Sequence, residues 1–485
     1  MSQEVRKQEP HSLWNHFADL NAVPRPSKME ERVRAFMVEF GKSLQLEVIE
    51  DAIGNVIMRK PATPGMEDRK SIILQSHLDM VHQKNNDTDF DFLTQGIQMI
   101  VEGDIIKANG TTLGADNGIG VASIMAVLSS SDIAHPAIEA LFTIDEETGM
   151  TGAMELDKDI LNSTILLNLD TEEDDEIDIG CAGGVDVTAT KSYLLESLSN
   201  DYVSKKITVK GLNGGHSGMD IIKGLGNANK MITRLIDAMQ KKGAVHFQSL
   251  HGGSLRNAIP REAVAVVSLL KSDWETILHT FDNCKEALLD EYSSLEENLL
   301  ITIEAADNDK VLTKEDSRSM VYALLGIYNG VYRMSPAIKG LVETSNNLAR
   351  IKLENGDLQI ACLTRSSVKS SKTDLSSSIV AIMKLAHMET KLSGHYPGWQ
   401  PNANSAMLDI AKAKYTELFD HEPRVEACHA GLECGLLGER YPGLDMISFG
   451  PNIRRAHSPD EYVEIKSVQK FWKLLLAIMK EIPKA

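Results

Sequence analysis

Five short segments carry side chains whose types and spacing could bind a cation and activate a polar substrate. In SHLDMV, His77 and Asp79 lie two apart at the end of an apolar, β-branched run. Side chains at i and i+2 on a strand share a face, so one can bind a cation while the other orients the group beside it; a hydrogen-bonded surface pair has the same spacing. GTTLGADNGIG sets Asp116 and Asn117 between glycines ahead of the helical VASIMAVL. There Asp116 reads either as a helix-cap or turn residue or as a ligand. In FTIDEETG the carboxylates of Asp145, Glu146 and Glu147 follow the apolar run 140–144. Adjacent carboxylates beside a buried strand repel unless a cation or proton compensates, and one could ligate while its neighbour serves as a general base. Asp170 closes STILLNLD ahead of an acidic stretch, residues 172–176, that reads as a solvated loop. His457 follows a strand and a turn in GPNIRRAHSPDE.

Each donor falls at the expected carboxyl end of a strand, where open α/β sheets place their sites. Oxygen and imidazole donors without thiolates suit zinc, manganese or cobalt. Two such ions could share a carboxylate, polarise a carbonyl and acidify a water.

The elements that must position these groups are legible in outline. Helix-like SLWNHFADL and RVRAFMVEFGKSL alternate with β-rich NVIMRK, SIILQSHLDM, EALFTIDEE and STILLNLD, an α/β pattern with strands buried on both faces. After CAGG the order becomes strand KKITVKGL, helix 226–241, strands VHFQSL and EAVAVVSLL, a long helix 274–298 and strand LLITIEAAD. Helix 317–328, strands near GLVETSNN and LQIACLTRS, helix 373–388 and strand ETKLSGHY follow. This reads as two ferredoxin-like units in tandem or as one irregular α+β insertion. From about residue 401 the α/β pattern returns. The expected organisation is therefore a catalytic domain of residues 1–183 and 400–485 interrupted by an inserted α+β domain, 184–399.

With 485 residues, two domains are the expectation. Fifty Lys and Arg against sixty-nine Asp and Glu give a net charge of −19, which disfavours nucleic acid and anionic membrane surfaces as partners. Five cysteines without CxxC spacing fit a reducing compartment rather than a disulfide framework or thiolate metal site. With no apolar signal segment or bilayer-length run, the expected location is the cytoplasm.

The motifs KNNDT, GTTLGADNGIG, GCAGG, KGLNGGHSG, GGSLRNAIPREA, HYPGWQPNANS, HAGLECG and HSPDE resemble the co-catalytic zinc exopeptidases, the family of carnosinases, aminoacylases and peptidase T. The likeness runs from PSKMEERV to the closing FWKLLLAIMKEIPKA. It implies an α/β zinc-peptidase domain with a lid, and two divalent ions, zinc first, with cobalt or manganese able to substitute. Asp116 would bridge them, followed by a cis peptide, with His77 and Asp170 on one ion and Glu147 and His457 on the other. Asp79 would orient His77, and Glu146 would be the general base. In the lid, His216 would stabilise an oxyanion, Asn257 and Arg365 would hold the substrate backbone and carboxylate, and Gly431 would complete the pocket. The implied activity is hydrolysis of dipeptides, Xaa-His first. Related activities on the same core are N-acyl amino-acid deacylation and broader di- or tripeptide cleavage, and a metal-stabilised binding protein is the non-catalytic alternative. A doubled lid could mimic a partner subunit, so monomer and homodimer both stay open.

Overall fold

The computed structural model describes the chain except Met1, Asn308, Ala337, Ala403 and Ala430. It divides into two compact units, one of Met1–Gly180, Pro401–Ala427 and Leu432–Ala485, the other of Cys181–Gln400 and Cys428–Gly431. The short segment Cys428–Gly431, expected with the first domain, sorts with the second: Ala182 N–H donates to Cys428 O and the His429 ring meets Ser345 Oγ.

The first unit is built on an eight-stranded sheet. Its central strands Ile138–Thr143, Ile72–His77, Ile165–Asn168 and Asp445–Ser448 run parallel, with registers His77↔Thr143, Gln75↔Asn168 and Ser448↔Asn168. The first three of these strands are buried throughout, as apolar β-branched runs covered on both faces must be. The registers bring their carboxyl ends to one edge. The loops carrying Asp79, Glu146, Glu147 and Asp170 all leave from there. Helix Ala115–Ser129 is buried nearly all round, so it carries little amphipathic signal.

In the second unit the described residues form a nine-stranded sheet and a two-stranded ribbon of Leu195–Glu196 and Val311–Leu312. Strands Tyr202–Lys210, Val245–Gly252, Ala263–Leu270 and Leu300–Ala306, with helices Ala228–Gln240 and Trp274–Glu291, make a βαββαβ unit. A second βαββαβ unit comprises strand Gly183–Ser192, helix Lys314–Gly326, strands Val342–Glu354 and Asp357–Ser366, helix Lys369–Leu385 and strand Glu389–Tyr396. The two are therefore nested rather than in tandem, because the outer unit's first strand precedes the whole inner unit. They join edge to edge through Val245–Gly252 and Val342–Glu354 over one core that includes Val187, Phe247, Phe281, Leu324 and Met383.

The long helix ends at Glu291, not 298. Two serines follow, poor helix formers, and Glu296 turns back to accept the N–H groups of Asn213 at 2.6 Å and Gly226 at 2.8 Å. Among the described residues no helix is long and apolar enough to cross a membrane.

Candidate metal centre

His77 ends its strand with its side chain 1% exposed. Its Nδ1 lies 3.1 Å from Asp79 O and 3.3 Å from Asp79 Oδ1; its Nε2 lies 3.1 Å from Asp116 Oδ1 and 3.5 Å from Asp170 Oδ1. Burial opposes charge on this ring, yet Asp170, Asp116 and Asp79 raise its pKa well above the ordinary value. Asp79 is itself buried. Its oxygens accept from Glu146 N at 3.0 Å, Glu147 N at 3.3 Å and Ser27 Oγ at 2.8 Å, so it fixes the imidazole and the start of the Glu146–Glu147 loop together.

Asp116 sits at the kinked start of its helix with extended backbone, not as the cap; that position belongs to Gly114 at φ 71°. A Cβ on Gly114 would meet Arg25 Nη2 at 2.5 Å and Met80 Sδ at 2.8 Å. The Asp116–Asn117 peptide is cis. Glu461 cradles the turn, accepting from Leu113 N and Ala115 N at 2.7 Å and Gly114 N at 3.0 Å. Burial pushes the Glu461 carboxyl up to about 7. Arg25, also buried, donates to Gly114 O at 2.5 Å, Asn21 Oδ1 at 3.0 Å, Leu78 O at 3.1 Å and Asp79 O at 3.2 Å, tying the His77–Asp79 and Asp116 loops to each other.

The second oxygen of Asp116 faces the other way. His457, in the left-handed region at φ 65°, has Nε2 3.3 Å from Asp116 Oδ2 and 3.0 Å from Glu147 Oε2. Hydrogen bonds to these carboxylates, with their charge, push it up to about 11. Asp145 turns away to Lys28 Nζ at 3.0 Å and Thr151 Oγ1 at 2.7 Å, leaving Glu146 and Glu147 facing the cluster. Burial raises both, Glu146 well above the ordinary range, and lifts Asp170 to about 6.

Three donor groups, each with ligand atoms within 4.8 Å of one another, could hold a cation: His77, Asp116 and Asp170; Asp116, Glu147 and His457; His77, Glu146 and Glu147. Glu147 Oε1 is buried without a partner. Buried carboxylates facing one another are stable only when a cation sits among them or protons neutralise them. The imidazole and carboxylate donors fit borderline divalent ions.

A family model described as Peptidase family M20/M25/M40 matches residues 73–481. The chain belongs to this family. It is 43% identical over 481 residues to the cytosol non-specific dipeptidase of Escherichia coli (strain K12), covering 99% of each chain. The crystal structure of aminoacylhistidine dipeptidase from Vibrio alginolyticus matches at TM-score 0.95 and 42% identity over 100% of both chains. Aminopeptidase PepT from Bacillus cereus ATCC 10987 shares the fold at TM-score 0.57 and 16% identity, covering 98% of this chain and 99% of its own.

The other residues expected from the M20 resemblance lie in the second unit. His216 Nδ1 accepts from Gly218 N at 3.3 Å and Met219 N at 3.1 Å. Burial, with Arg365 adding, lowers its pKa, so the ring is neutral with its proton on Nε2, a donor. Asn257 is exposed, and its carbonyl accepts from Ser217 N at 2.7 Å, beside that turn. Arg365 is 5% exposed, donates from Nη1 to Tyr396 Oη at 2.7 Å and keeps Nε without a partner. Gly431 is half-buried, two residues beyond His429.

Several residues of this M20 peptidase escaped sequence reasoning. His429 is buried against Ser345 Oγ at 2.8 Å and pushed down to about 3 by burial, with Arg365 and His216 adding. Arg25, Glu433 and Glu461 are buried ionisable groups with partners remote in sequence. The acidic stretch is not a plain solvated loop. Glu173, Asp174, Asp175 and Glu176 pair with Arg454, Lys470 and Arg424 at 2.7–2.9 Å, and burial lifts Glu172 to about 8 beside Asp116 and Asp170. The basic partners at 424, 454 and 470 were the available signal.

Proposed function

We propose that this chain is a metal-dependent dipeptidase of the cytoplasm, acting on short peptides with Xaa-His dipeptides first, and that its ions are zinc. The observation that carries the reading is Asp116, whose two oxygens face two different imidazole–carboxylate pairs. His77 and Asp170 would hold one ion and His457 and Glu147 the other, with Asp116 shared. Two such ions would supply Lewis acidity toward a peptide carbonyl and lower the pKa of a water.

The chain's own groups do the rest. Asp79 fixes the His77 ring and, through the Glu146 N–H, the base loop. Glu146, half-buried and with its carboxyl raised by burial, takes the proton of the attacking water and passes it to the leaving amine. For the second unit, the resemblance assigns His216 the role of oxyanion donor, which a ring with its proton on Nε2 suits. The planar fork of Arg365 suits a substrate carboxylate, with Asn257 and Gly431 contacting the peptide backbone. Two relatives whose printed names are dipeptidases support the substrate class.

The test is metal analysis alongside turnover of Xaa-His, other dipeptides and N-acetyl amino acids. Chelation should abolish dipeptide cleavage and zinc should restore it. Activity that survives verified metal removal sinks the mechanism, and faster turnover of N-acetyl amino acids would make the chain a deacylase.

A further inference from the structure

Beneath the carboxyl edge of the first unit's sheet, six polar side chains, none more than 7% exposed, form one continuous row. Asp178 Oδ2 lies 2.9 Å from Thr171 Oγ1, which lies 2.8 Å from Ser448 Oγ. Ser448 Oγ contacts Asn168 Oδ1. Asn168 Nδ2 lies 2.5 Å from Gln75 Oε1, and Gln75 Nε2 lies 2.7 Å from Glu433 Oε2. Register explains the row, since Gln75 pairs with Asn168, Asn168 with Ser448 and Ser448 with Asp178 across neighbouring strands.

The hydrogens of this row can be counted. Five contacts at hydrogen-bond distance need one hydrogen each. Thr171 and Ser448 bring one apiece. Asn168 and Gln75 each enter the row through both ends of the amide, so each supplies one hydrogen whichever way the amide is turned. Four hydrogens serve five contacts. The fifth must come from a carboxyl at one end.

We propose that Glu433 and Asp178 share one bound proton through this row, which therefore carries one negative charge rather than two, and that Glu433 is a positioning residue for the strand ends bearing His77 and Asp170. With the amides as placed, Gln75 Nε2 reaches Thr143 Oγ1 at 3.2 Å as well as Glu433, which puts the proton at the Asp178 end; turning both amides gives up that contact and moves the proton to Glu433. Two further observations fit. Glu433 Oε1 is buried without a partner, a position less costly for a neutral acid than for a carboxylate. Thr143 Oγ1, 2.6 Å from Glu433 Oε2, extends the row to the strand that leads into Glu146. Burial also lifts Glu433 to about 8. The count is independent of which peptide is cleaved.

Infrared difference spectroscopy of the metal-loaded protein at pH 7 tests the shared proton. The comparison is wild type against the Glu433→Gln/Asp178→Asn double variant, whose end amides supply the missing hydrogen and keep the shape. The C=O band of a buried carboxylic acid, shifting in D2O, is expected in wild type and absent from the double variant. A difference spectrum without that band overturns the proposal even if dipeptidase activity is intact. For the positioning role, Glu433→Leu should lower kcat roughly 10–100-fold at little-changed KM with metal retained, and Glu433→Gln should restore most of the loss. A Leu variant with wild-type kcat, or a Gln variant as impaired as Leu, would refute that role.

Discussion

The carboxylate of Glu461 accepts the backbone N–H of Ala115 at 2.7 Å, from a side chain 346 residues further along the chain. The peptide leading into Asp116 is thus held from outside its own loop. Glu461→Gln replaces one acceptor oxygen with an amide donor facing N–H groups. It should weaken metal retention roughly 10–100-fold, measured by chelator competition. Unchanged retention would mean that the Asp116 turn holds its own shape.

Arg25 donates to four buried acceptors. Arg25→Met strands them, at about 1–3 kcal/mol for each left unsatisfied. An unfolding free energy from urea titration lowered by several kcal/mol is expected, and a value within error of wild type would contradict the clasp.

Glu146 and Glu147 are adjacent but differ in what they face. Glu147→Gln should lower bound metal as well as activity, because Glu147 meets His457 at 3.0 Å. Glu146→Gln should remove turnover while metal content stays near wild type. Plasma emission metal analysis beside kcat separates the two, and metal loss in the Glu146 variant would argue against its role as base.

His77 and Asp79 should part in the same way. His77→Ala removes a donor from two of the three candidate groups, whereas Asp79→Ala leaves the donors present but loosely held. Titration with zinc should give a larger loss of affinity for the first; the reverse order would reassign Asp79 as a direct ligand.

Metal binding should release protons. Without metal, the carboxylates around His77 and His457 favour the charged imidazoles, His77 raised well above its ordinary pKa and His457 to about 11. A ligating imidazole must be neutral. The metal-free state therefore holds more protons than the occupied one, and affinity rises with pH below those values. Calorimetry at pH 7 in buffers of different ionisation enthalpy should show about two protons leaving. Binding without proton release would contradict these two ligands.

Much of the site was readable because its donors follow apolar strands, and a parallel sheet aligns the ends of such strands. His77, Glu147 and Asp170 come from three separate runs that had to finish at one edge. Arg25, Glu433 and Glu461 were not readable, since a single charged residue says nothing about burial until its remote partners are placed. The tandem reading of the second unit failed at GGVDVTATKS, whose strand, residues 183–192, has its sheet partners 165 or more positions away. Local pattern has no access to such pairings. The hairpin turn at Asn355 and Gly356 has φ 52° and 85°, the positive values that an Asn-Gly pair supplies.

Nesting also sets an order of assembly. The inner βαββαβ unit has all its strands between residues 202 and 306, so it closes on comparatively local contacts, whereas strand Gly183–Ser192 must wait for partners that the chain delivers only from residue 357 onward. Loops that long form slowly. During synthesis the inner unit should mature first and serve as the template on which the outer strands dock, leaving the edge of Gly183–Ser192 the segment most exposed to mispairing until Glu389–Tyr396 arrives.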